Sequence, residues 1–537
     1  MSLQFRILWT FFFGVQFLVQ AQPTIHFPHD FPSDLKKICQ RYAMQVQPQN
    51  WPLVQNQMQL EAYGLGYFLF ESSITQQNDS LFEINLDAGP RFESIELISH
   101  QSTQTLKPSA FQSLVKDSLA AFLDHGYPFV KLTLETISAN EPRFRLQIDK
   151  GPRILFGELV VKPEGIIQAK VLGQLLQIEA GKEFSIHQLE QIRSKLAVQP
   201  GIKLLRDAEW LVQDDRARVF IYLERVKTSS ATGMLGLQPN PLTQKNALVG
   251  ELQLSLQNAW QKNEKFSLNW RSIAPQVQML QSQLSWPYIA GSAYGLHSSL
   301  KMYKRDTTFL EFKSQLGLLY QLPKAWQIIG IFDFWRSSNL QSSQGSQLAN
   351  FRNVSYGLGL QRKTLNNLFN PTKGQVFSGQ FLVGTKKVTQ AHLTWRLEVQ
   401  QQQFIPLAKR HTLLFQQQFC HITSDSLYRN ELFRFGGLDR MRGFDEEAFF
   451  ATTYAFAGLE YRFILDEFAY AAVFTDWAAI RNQTIVAAPS FVSAIGIGLS
   501  LGSEKGSFKL NYALGSYLGQ PYQLNAGKIH LAYISYF

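Results

Sequence analysis

The stretch "FRFGGLDRMRGF", residues 433–444, puts three glycines, three arginines and an aspartate within one dozen residues. An arginine fork can hold a carboxylate through two parallel hydrogen bonds, and glycine allows a tight backbone turn. An ion pair of this kind keeps its strength only where bulk water is shielded from it. The competing interpretation is an ordinary solvated turn with surface charges. The residues of interest are Gly436, Gly437, Arg442, Gly443 and Phe444.

A second pattern, Gly498-x-Ser500-x-Gly502, resembles the nucleophile motif of hydrolases. That motif needs a strand, a sharp turn and then a helix, whereas another alternating segment follows here at residue 506. The interpretation of the chain as a hydrolase would depend on Ser500 alone, so we predict no catalytic residue. The only close histidine pair, His26 and His29, lacks further ligands nearby, so we predict neither a metal nor a cofactor.

The composition favours aromatic residues over charges. The 537 residues are 45% hydrophobic, 13% aromatic and 17% charged, against roughly 25% charged in an average soluble chain. The length predicts about three or more domains. Although the net charge is +10, basic residues form no run longer than pairs such as Lys36-Lys37, which argues against a nucleic-acid arm. Cys39 and Cys420 lie far apart in sequence, so both are predicted to be free thiols.

The N-terminus has one arginine, an apolar segment over residues 7–19 and an Ala21-Gln22 junction. This pattern predicts a secretory signal peptide, residues 1–21, that is removed on export. No later apolar run reaches the roughly 18 residues of a membrane-spanning helix. A mature chain that enters a membrane must therefore do so as a barrel.

The first half of the chain contains a threefold repeat. The stretches "LFEINLDAGPRFESIELI" and "FRLQIDKGPRILFGELVV" each place Gly-Pro-Arg between two strands, and Gly66, Gly126 and Gly201 mark corresponding turns. The helical part is clearest in "SIHQLEQIRSKL", behind a Ser185 cap. Each unit is predicted as a strand, two helices and two strands in a small α+β domain. The first copy is the least regular, and an unrelated helical leader is the alternative for it.

The second half alternates apolar and polar residues with period two, as in "ALVGELQLSLQ" and "HLTWRLEVQ". A soluble β-sandwich or two barrels could show the same alternation. The export signal, the aromatic content, the even strand number and the alternation of short and long connections together favour a transmembrane barrel. Sixteen strands are predicted to start near residues 231, 247, 264, 276, 292, 308, 325, 352, 374, 391, 410, 452, 467, 491, 506 and 528.

If the first strand leaves the periplasm, the turns "QLPK", "IPLAK" and "GSEKG" lie on the periplasmic side. The longer loops near residues 338, 422 and 477 then lie outside. The fold class is thus α+β repeats followed by an all-β, 16-stranded antiparallel transmembrane β-barrel. The predicted segments are a signal peptide 1–21, repeats 23–90, 91–152 and 153–227, and a barrel 228–537.

Several segments, in order, resemble the outer-membrane assembly-factor superfamily typified by BamA and TamA. The "MRGF" of residues 441–444 resembles that family's long-loop signature, and "LFNPTKGQ", "GLEYRF", "VFTDWAAI" and the C-terminal "AYISYF" resemble further segments of its barrel. The repeats resemble its periplasmic POTRA domains. Three repeats are closer in number to TamA-like members, because the best-known insertion factors carry five. No Pro-rich linker behind a plug helix, typical of two-partner secretion transporters, is evident.

The resemblance implies a role for the opening stretch. In the family, the long external loop folds back into the lumen, and its arginine meets acids on neighbouring strands. Carried over, Arg442 would pair with Glu460 and Asp476, so the loop would be an internal strut. Four family segments in the right order favour this interpretation over the solvated turn.

Two functions follow from the resemblance. The first is an assembly or insertion factor, in which the repeats offer sheet edges to unfolded outer-membrane protein clients and the barrel opens between its first and last strands. Its partners would be those clients, outer-membrane lipids and accessory periplasmic or lipoprotein subunits, with no nucleic acid. The alternative is a conduit for a polypeptide or solute. A substrate gene beside this one would favour the conduit, whereas bilayer thinning and client insertion would favour assembly.

The C-terminal strand is predicted to be an assembly signal, because alternate residues on one face finish in a terminal aromatic: Leu531, Tyr533 and Phe537. Deletion of Phe537 should reduce the yield of folded barrel, measured by heat-modifiable migration on gels. Normal migration of the deletion variant would leave the strand as no more than a last lipid-facing strand.

Overall fold

The computed structural model describes residues 2–4, 24–28, 30–43, 50–78, 81–98, 103–137, 141–239, 246–274, 277–305, 309–339, 349–367, 369–438, 440–485, 490–503, 505–517 and 520–535. Most of the predicted signal peptide and the terminal Phe537 lie outside these residues. The chain forms two compact units. The first comprises Met1–Val160, Gln177–Ile192 and Ala208–Phe220, and the second Val161–Leu176, Arg193–Asp207 and Ile221–Phe537.

The first repeat has a strand, two helices and two further strands: Thr24–His26, Ser33–Ala43, Trp51–Leu65, Glu71–Asn78 and Leu81–Asp87. Its first and last strands are parallel neighbours, and the strand Glu71–Asn78 lies at the edge of the sheet. The helices pack on this sheet through a core that includes Leu35, Trp51, Met58 and Phe70. The least regular copy in sequence therefore contains every element of the repeat.

The second repeat differs from the predicted pattern, because a strand takes the place of its first helix. Its elements are Ile95–Ile98, Thr103–Leu106, the single helix Pro108–Asp124, Lys131–Thr136 and Arg143–Asp149. Proline favours an extended residue before it and is well placed at the start of a helix. Lys107 is extended accordingly, with φ −75° and ψ 152°. Pro108 thus fixes the start of the only helix, and the prediction of two helices was wrong for this copy.

The third repeat contributes elements to both compact units. These elements are Leu155–Lys162, the helices Ala169–Leu176, Ile186–Glu190 and Ile192–Leu196, and the strands Ile202–Leu204, Glu209–Gln213 and Arg216–Arg225. The prediction of two helices and two further strands was therefore wrong for this copy too, because its second helical segment is divided at Gln191 and a short strand follows the Gly201 turn. Ser185 caps the helix that follows it, with its hydroxyl oxygen accepting a hydrogen bond from Gln188 N at 3.1 Å. None of the described helices has the length and apolar character needed to cross a bilayer.

The three glycine turns are structurally equivalent. Gly66, Gly126 and Gly201 have φ values of 100°, 87° and 76°. Each carbonyl accepts a backbone hydrogen bond from a residue close to the start or end of a strand, with Phe92, Ile154 and Val226 as donors at 2.9, 2.7 and 3.2 Å respectively. The sequence repeat therefore reflects a repeated backbone geometry.

The C-terminal part is one antiparallel sheet of 16 strands in chain order, as predicted. We name its strands β1 to β16. Their bounds are Ser230–Pro239, Asn246–Gln257, Lys265–Ala274, Val277–Trp286, Tyr294–Arg305, Phe309–Gln321, Trp326–Asn339, Phe351–Leu365, Gly374–Lys387, Ala391–Ala408, His411–Ser424, Thr453–Ile464, Tyr470–Arg481, Ser490–Ser503, Gly506–Tyr517 and Lys528–Ser535.

No hydrogen-bonded ladder closes the barrel wall within the part of the chain that the structure describes. The ladder runs from β1 to β16, and within the described residues no ladder joins β16 back to β1. We call this junction the seam. The strand β16 has only 8 residues, whereas β10 has 18. A short edge strand offers few backbone hydrogen bonds, so the seam is the weakest line of the wall.

The side chains of each barrel strand alternate between two faces. One face carries exposed apolar residues, among them Leu358, Leu393, Ile497 and Ile529 at 60–67% exposure. The opposite face carries buried polar and charged residues such as Glu311, Asp333 and Lys386. An apolar outer band around a polar interior is the pattern of a transmembrane β-barrel.

We predict that Gly126→Ala destabilises the N-terminal unit by about 2–3 kcal/mol, because a Cβ there would lie 2.9 Å from the Ile154 carbonyl oxygen in addition to the cost of positive φ. Gly181 is the matched control. It has the same φ of 87°, but a Cβ there would meet no atom of the described residues within 4 Å, so Gly181→Ala should cost about 1 kcal/mol. Urea-dependent pulse proteolysis of the N-terminal region measures both, and equal losses would contradict the steric explanation.

Candidate functional site

The long connection between β11 and β12, residues 425–452, packs inside the barrel, and we call it the lumen loop. It contains a short turn, Arg429–Glu431, and a small hairpin in which Phe433–Phe435 pairs with Phe449–Ala451. Phe435 stacks on Tyr454 of β12 with ring centroids 4.1 Å apart. The loop shares one buried apolar cluster with inward side chains of the wall, which includes Phe433, Phe435, Met441, Trp335, Cys420, Phe456 and Ile480.

Arg442 lies at the centre of the charged part of this site. Its Nε and Nη2 donate to the two carboxylate oxygens of Asp476 at 2.9 and 2.8 Å, and its backbone N donates to the same carboxylate at 3.1 Å. Its Nη1 donates to Glu460. All three side chains are buried, at 7%, 0% and 5% exposure for Arg442, Asp476 and Glu460. The structure therefore brings together the arginine and both acids that the resemblance implied.

Two further groups, an aromatic ring and a second arginine, stabilise the charges around Arg442. The guanidinium lies over the Phe474 ring, 3.4 Å from its centroid, where the face of the ring attracts a cation. Glu460 also accepts a hydrogen bond from Arg462 Nε at 2.7 Å. Two arginines and two carboxylates thus alternate on β12, β13 and the lumen loop. Their mutual attraction offsets the cost of removing each charge from bulk water.

Gly443 lets the lumen loop approach the wall at backbone distance. Its φ is 99°, and a Cβ there would lie 2.8 Å from Gly515 N and 2.9 Å from the Leu514 carbonyl carbon of β15. A Cβ on Gly515 would in turn lie 2.8 Å from the Phe444 ring. Only glycine fits at this contact, because any side chain would push the loop from the wall. Gly515 was missed from sequence, since its partner lies more than 70 residues earlier.

The paired glycines serve the base of the same loop. Gly436 and Gly437 have φ values of 127° and 99°. A Cβ on Gly437 would collide with the Glu446 carboxylate, which accepts a hydrogen bond from Leu438 N at 3.0 Å. These residues therefore fix the turn that brings the Arg442 side chain to Asp476 and Glu460.

A second set of buried polar contacts holds the start of the lumen loop, and sequence reasoning missed it. Glu431 forms an ion pair with Lys386 of β9 at 2.9 Å, and both side chains are 1–2% exposed. Asn430 donates to Ser337 Oγ at 2.8 Å and to the Ala349 carbonyl at 2.9 Å. The alternation of β9 could have placed Lys386 on the inner face, but no sequence signal pairs it with Glu431.

Arg434 adds a contact with another part of the wall. It donates to Glu311 of β6 at 2.6 Å and lies over the Tyr303 and Phe309 rings at 4.9 and 5.5 Å. The lumen loop is thus bound to β6, β7 and β9 near its start and to β12, β13 and β15 near its tip. These contacts fix it at two separate parts of the wall.

The predicted C-terminal residues lie apart from this site. Leu531 and Tyr533 are each 63% exposed on the outer face of β16, and Phe537 is outside the described residues. The start of β16 does meet the loop, since Lys528 forms an ion pair with Asp445 at 2.8 Å. Ser500 lies within β14 and is followed by β15 rather than by a helix. Both cysteines are free, as predicted, and among the described residues no His, Cys, Asp and Glu group could hold a metal.

Residues 237–528 match the Omp85 superfamily domain, which is more than half of the chain. The chain belongs to the Omp85 superfamily. This membership confirms the family resemblance and the outer-membrane location, with the N-terminal region in the periplasm. The closer likeness to TamA-like members stays a prediction. No curated protein matches the chain.

Several solved structures of this Omp85 chain's fold are similar to it at low sequence identity. CdiB from Escherichia coli has 14% identity and a TM-score of 0.55, with 93% of this chain and 98% of that chain covered. CdiB from Acinetobacter baumannii has 13% identity and a TM-score of 0.51, with 81% and 82% covered. BamA from Haemophilus ducreyi lacking POTRA domains 1–3 has 11% identity and a TM-score of 0.48, with 97% and 100% covered. At these identities the likeness shows the fold alone.

We predict that Arg442→Ala lowers the stability of the folded barrel by about 3–5 kcal/mol, because it leaves the buried Asp476 carboxylate without its arginine and Glu460 with Arg462 alone. Arg442→Lys should recover only part of this loss, since an ammonium group lacks the bidentate fork. Heat-modifiable migration across a urea series measures both effects.

Arg440→Ala is the matched control for this substitution. Arg440 lies two residues away in the same loop and makes a single side-chain hydrogen bond, to Gln400 at 3.3 Å, so its loss should cost about 1 kcal/mol or less. A cysteine at position 442 should also resist labelling from outside intact cells. Ready labelling, or equal effects of the two alanine variants, would contradict a buried Arg442.

Proposed function

We propose that this Omp85 protein assembles and inserts other outer-membrane proteins. The observation that carries the proposal is the seam, where the short strand β16 and β1 lack a hydrogen-bonded ladder within the described residues. An unpaired strand edge is a template for another strand. A client could therefore add its own strands at the seam and leave sideways into the bilayer, with no bond made or broken and no catalytic residue required.

The N-terminal repeats supply a means of holding an unfolded client. We interpret them as POTRA domains over residues 23–90, 91–152 and 153–227. In the second repeat, the edge strand Lys131–Thr136 already accepts an added strand, Ser2–Gln4, in antiparallel register. Because Ser2–Gln4 belongs to the predicted signal peptide, its removal would free this edge for an extended client segment.

The lumen loop favours assembly over a conduit that stands open. Its apolar cluster fills part of the lumen, and buried ion pairs fix it at two parts of the wall. A polypeptide could pass through only if these contacts broke. We infer that the Arg442 contact is a strut that keeps the shape of the wall while the seam opens. Leu531, Tyr533 and Phe537 would form the signal by which the barrel itself is assembled.

The alternative is a translocation pore of the same superfamily. Two of the similar structures, both CdiB proteins, have TM-scores above 0.5, but they support only the shared fold. In a pore, the wall would stay closed and the lumen loop would move. Client proteins, outer-membrane lipids and accessory periplasmic or lipoprotein subunits are the partners that the assembly function needs.

A disulfide across the seam distinguishes the two functions. With Cys39 and Cys420 replaced by alanine, one cysteine is placed in Ser230–Pro239 and one in Lys528–Ser535, scanning pairs until a bond forms. Proteoliposomes that contain the oxidised protein should fail to fold an unfolded outer-membrane client, and a reductant should restore client folding. Protease protection of the client measures the rate.

The control lock joins Lys509→Cys to Ala532→Cys, which are register partners in the existing β15–β16 ladder and lie outside the predicted assembly signal. Because that ladder does not need to open, client folding should continue when this pair is oxidised. If the oxidised seam lock leaves client folding unchanged, the assembly proposal is wrong and the translocation pore remains.

A further inference from the structure

The outer face of β10 and β11 carries glutamines where a transmembrane barrel normally has apolar residues. Gln400 faces the lumen, because it accepts the Arg440 hydrogen bond. Leu414 and Cys420 are inward and 0–1% exposed. Since alternate residues of a strand face opposite sides, the intervening Gln401, Gln403 and Gln417 face the lipid.

Gln401 and Gln417 lie within the hydrocarbon band and not at its border. One row of register partners runs from Trp326 at the periplasmic start of β7, through Gln401 and Gln417, to Trp477 in the outer half of β13. Barrel strands tilt by about 35–45°, so such a row climbs the wall. Tryptophans favour the two membrane interfaces, which places Gln401 and Gln417 between them.

Apart from Gln375, which is the register partner of Gln403 on β9, the residues around the patch are apolar. On β10, Val399 and Ile405 share the outer face, and on β11, Phe415 and Phe419 flank Gln417. Among the described residues, no hydrogen bond satisfies the side-chain amides of Gln401, Gln403 or Gln417. Each amide has two donors and an acceptor, and acyl chains can satisfy none of them. A lipid-facing surface with these groups is therefore incomplete without a polar partner.

We propose that this patch, defined by Gln401, Gln403 and Gln417, is the contact surface of a homodimer within the membrane. An amide both donates and accepts, so the patch is complementary to a second copy of itself across a twofold axis. The patch carries no charge, so it does not select a partner of one charge sign. Hydrogen bonds between polar side chains are a recognised source of association between membrane-spanning segments.

The place of the patch on the wall is compatible with the seam. In the strand order, β12 to β15 separate the patch from β16, and β2 to β9 separate it from β1. A dimer formed through β10 and β11 would leave both seams facing lipid. Two copies could therefore associate without covering the edge at which the proposed client addition takes place.

The test is the oligomeric state of the full-length protein in liposomes. Donor- and acceptor-labelled copies are reconstituted over a range of protein-to-lipid ratios, and energy transfer gives the dimer fraction. The Gln401→Leu/Gln417→Leu variant should weaken self-association about tenfold or more, because it removes several intermolecular hydrogen bonds. Gln401→Asn/Gln417→Asn, which keeps the amides, should dimerise more than the leucine variant.

Gln278→Leu is the matched control. Gln278 faces outward on β4, opposite Lys304, away from the patch, so the same chemical change there should leave the dimer fraction unaltered. Heat-modifiable migration shows that each variant folds. A wild-type protein that stays monomeric at every ratio overturns the proposal. So does a leucine variant that dimerises as well as wild type, even if another membrane protein is later found on this surface.

Discussion

The burial of one arginine between two acids is the interaction on which the site depends. Arg442 reaches Asp476 and Glu460 only because the lumen loop folds inward between two strands that are neighbours in the wall, β11 and β12. A guanidinium out of bulk water needs carboxylates in the right geometry, and the carboxylates need it equally. The glycines at the tip and base of the loop make that geometry reachable, and Gly515 gives the wall the space for it.

The lumen loop is attached to two separate groups of strands in the barrel wall. Contacts from Asn430, Glu431 and Arg434 reach β6, β7 and β9, and those from Arg442, Gly443 and Asp445 reach β12, β13, β15 and β16. A wall braced from inside over so many strands holds its curvature without a closing ladder. The seam can then be weak without the whole sheet losing its form. A stable interior and a weak edge are the two properties that the proposed assembly function requires.

The outer surface of the barrel is mostly apolar, with a local polar patch. Most outward positions are apolar, as burial in lipid requires. The amides on β10 and β11 depart from this rule at a site far from the seam in strand order. Departures from the apolar pattern in a membrane carry a cost in free energy, which the proposed contact between two copies would offset.

Much of this architecture was determined by local sequence. Period-two alternation predicted 16 strands with starts close to those observed, because each strand meets lipid on one face and a polar lumen on the other. The repeated glycines Gly66, Gly126 and Gly201 predicted equivalent turns, since glycine adopts positive φ without the strain that other residues would incur. The second repeat was mispredicted because the prediction rested on similarity to its neighbours, whereas the chain before Pro108 is extended and forms the strand Thr103–Leu106.

The tertiary structure alone decided which distant residues meet. Three contacts of the lumen loop could not be predicted from sequence: Lys386 with Glu431, Glu311 with Arg434, and Gly515 with Gly443. Alternation shows which face of a strand a residue occupies, but not which residue of a distant loop lies next to it. The pairing of Arg442 with its acids was foreseen only through a family resemblance, not through spacing. The sequence by itself determined which residues of each strand face the lumen and which face the lipid, because residues two apart in a strand lie on the same face. The structure decided the contacts across the lumen, which depend on the path of one loop through a confined space.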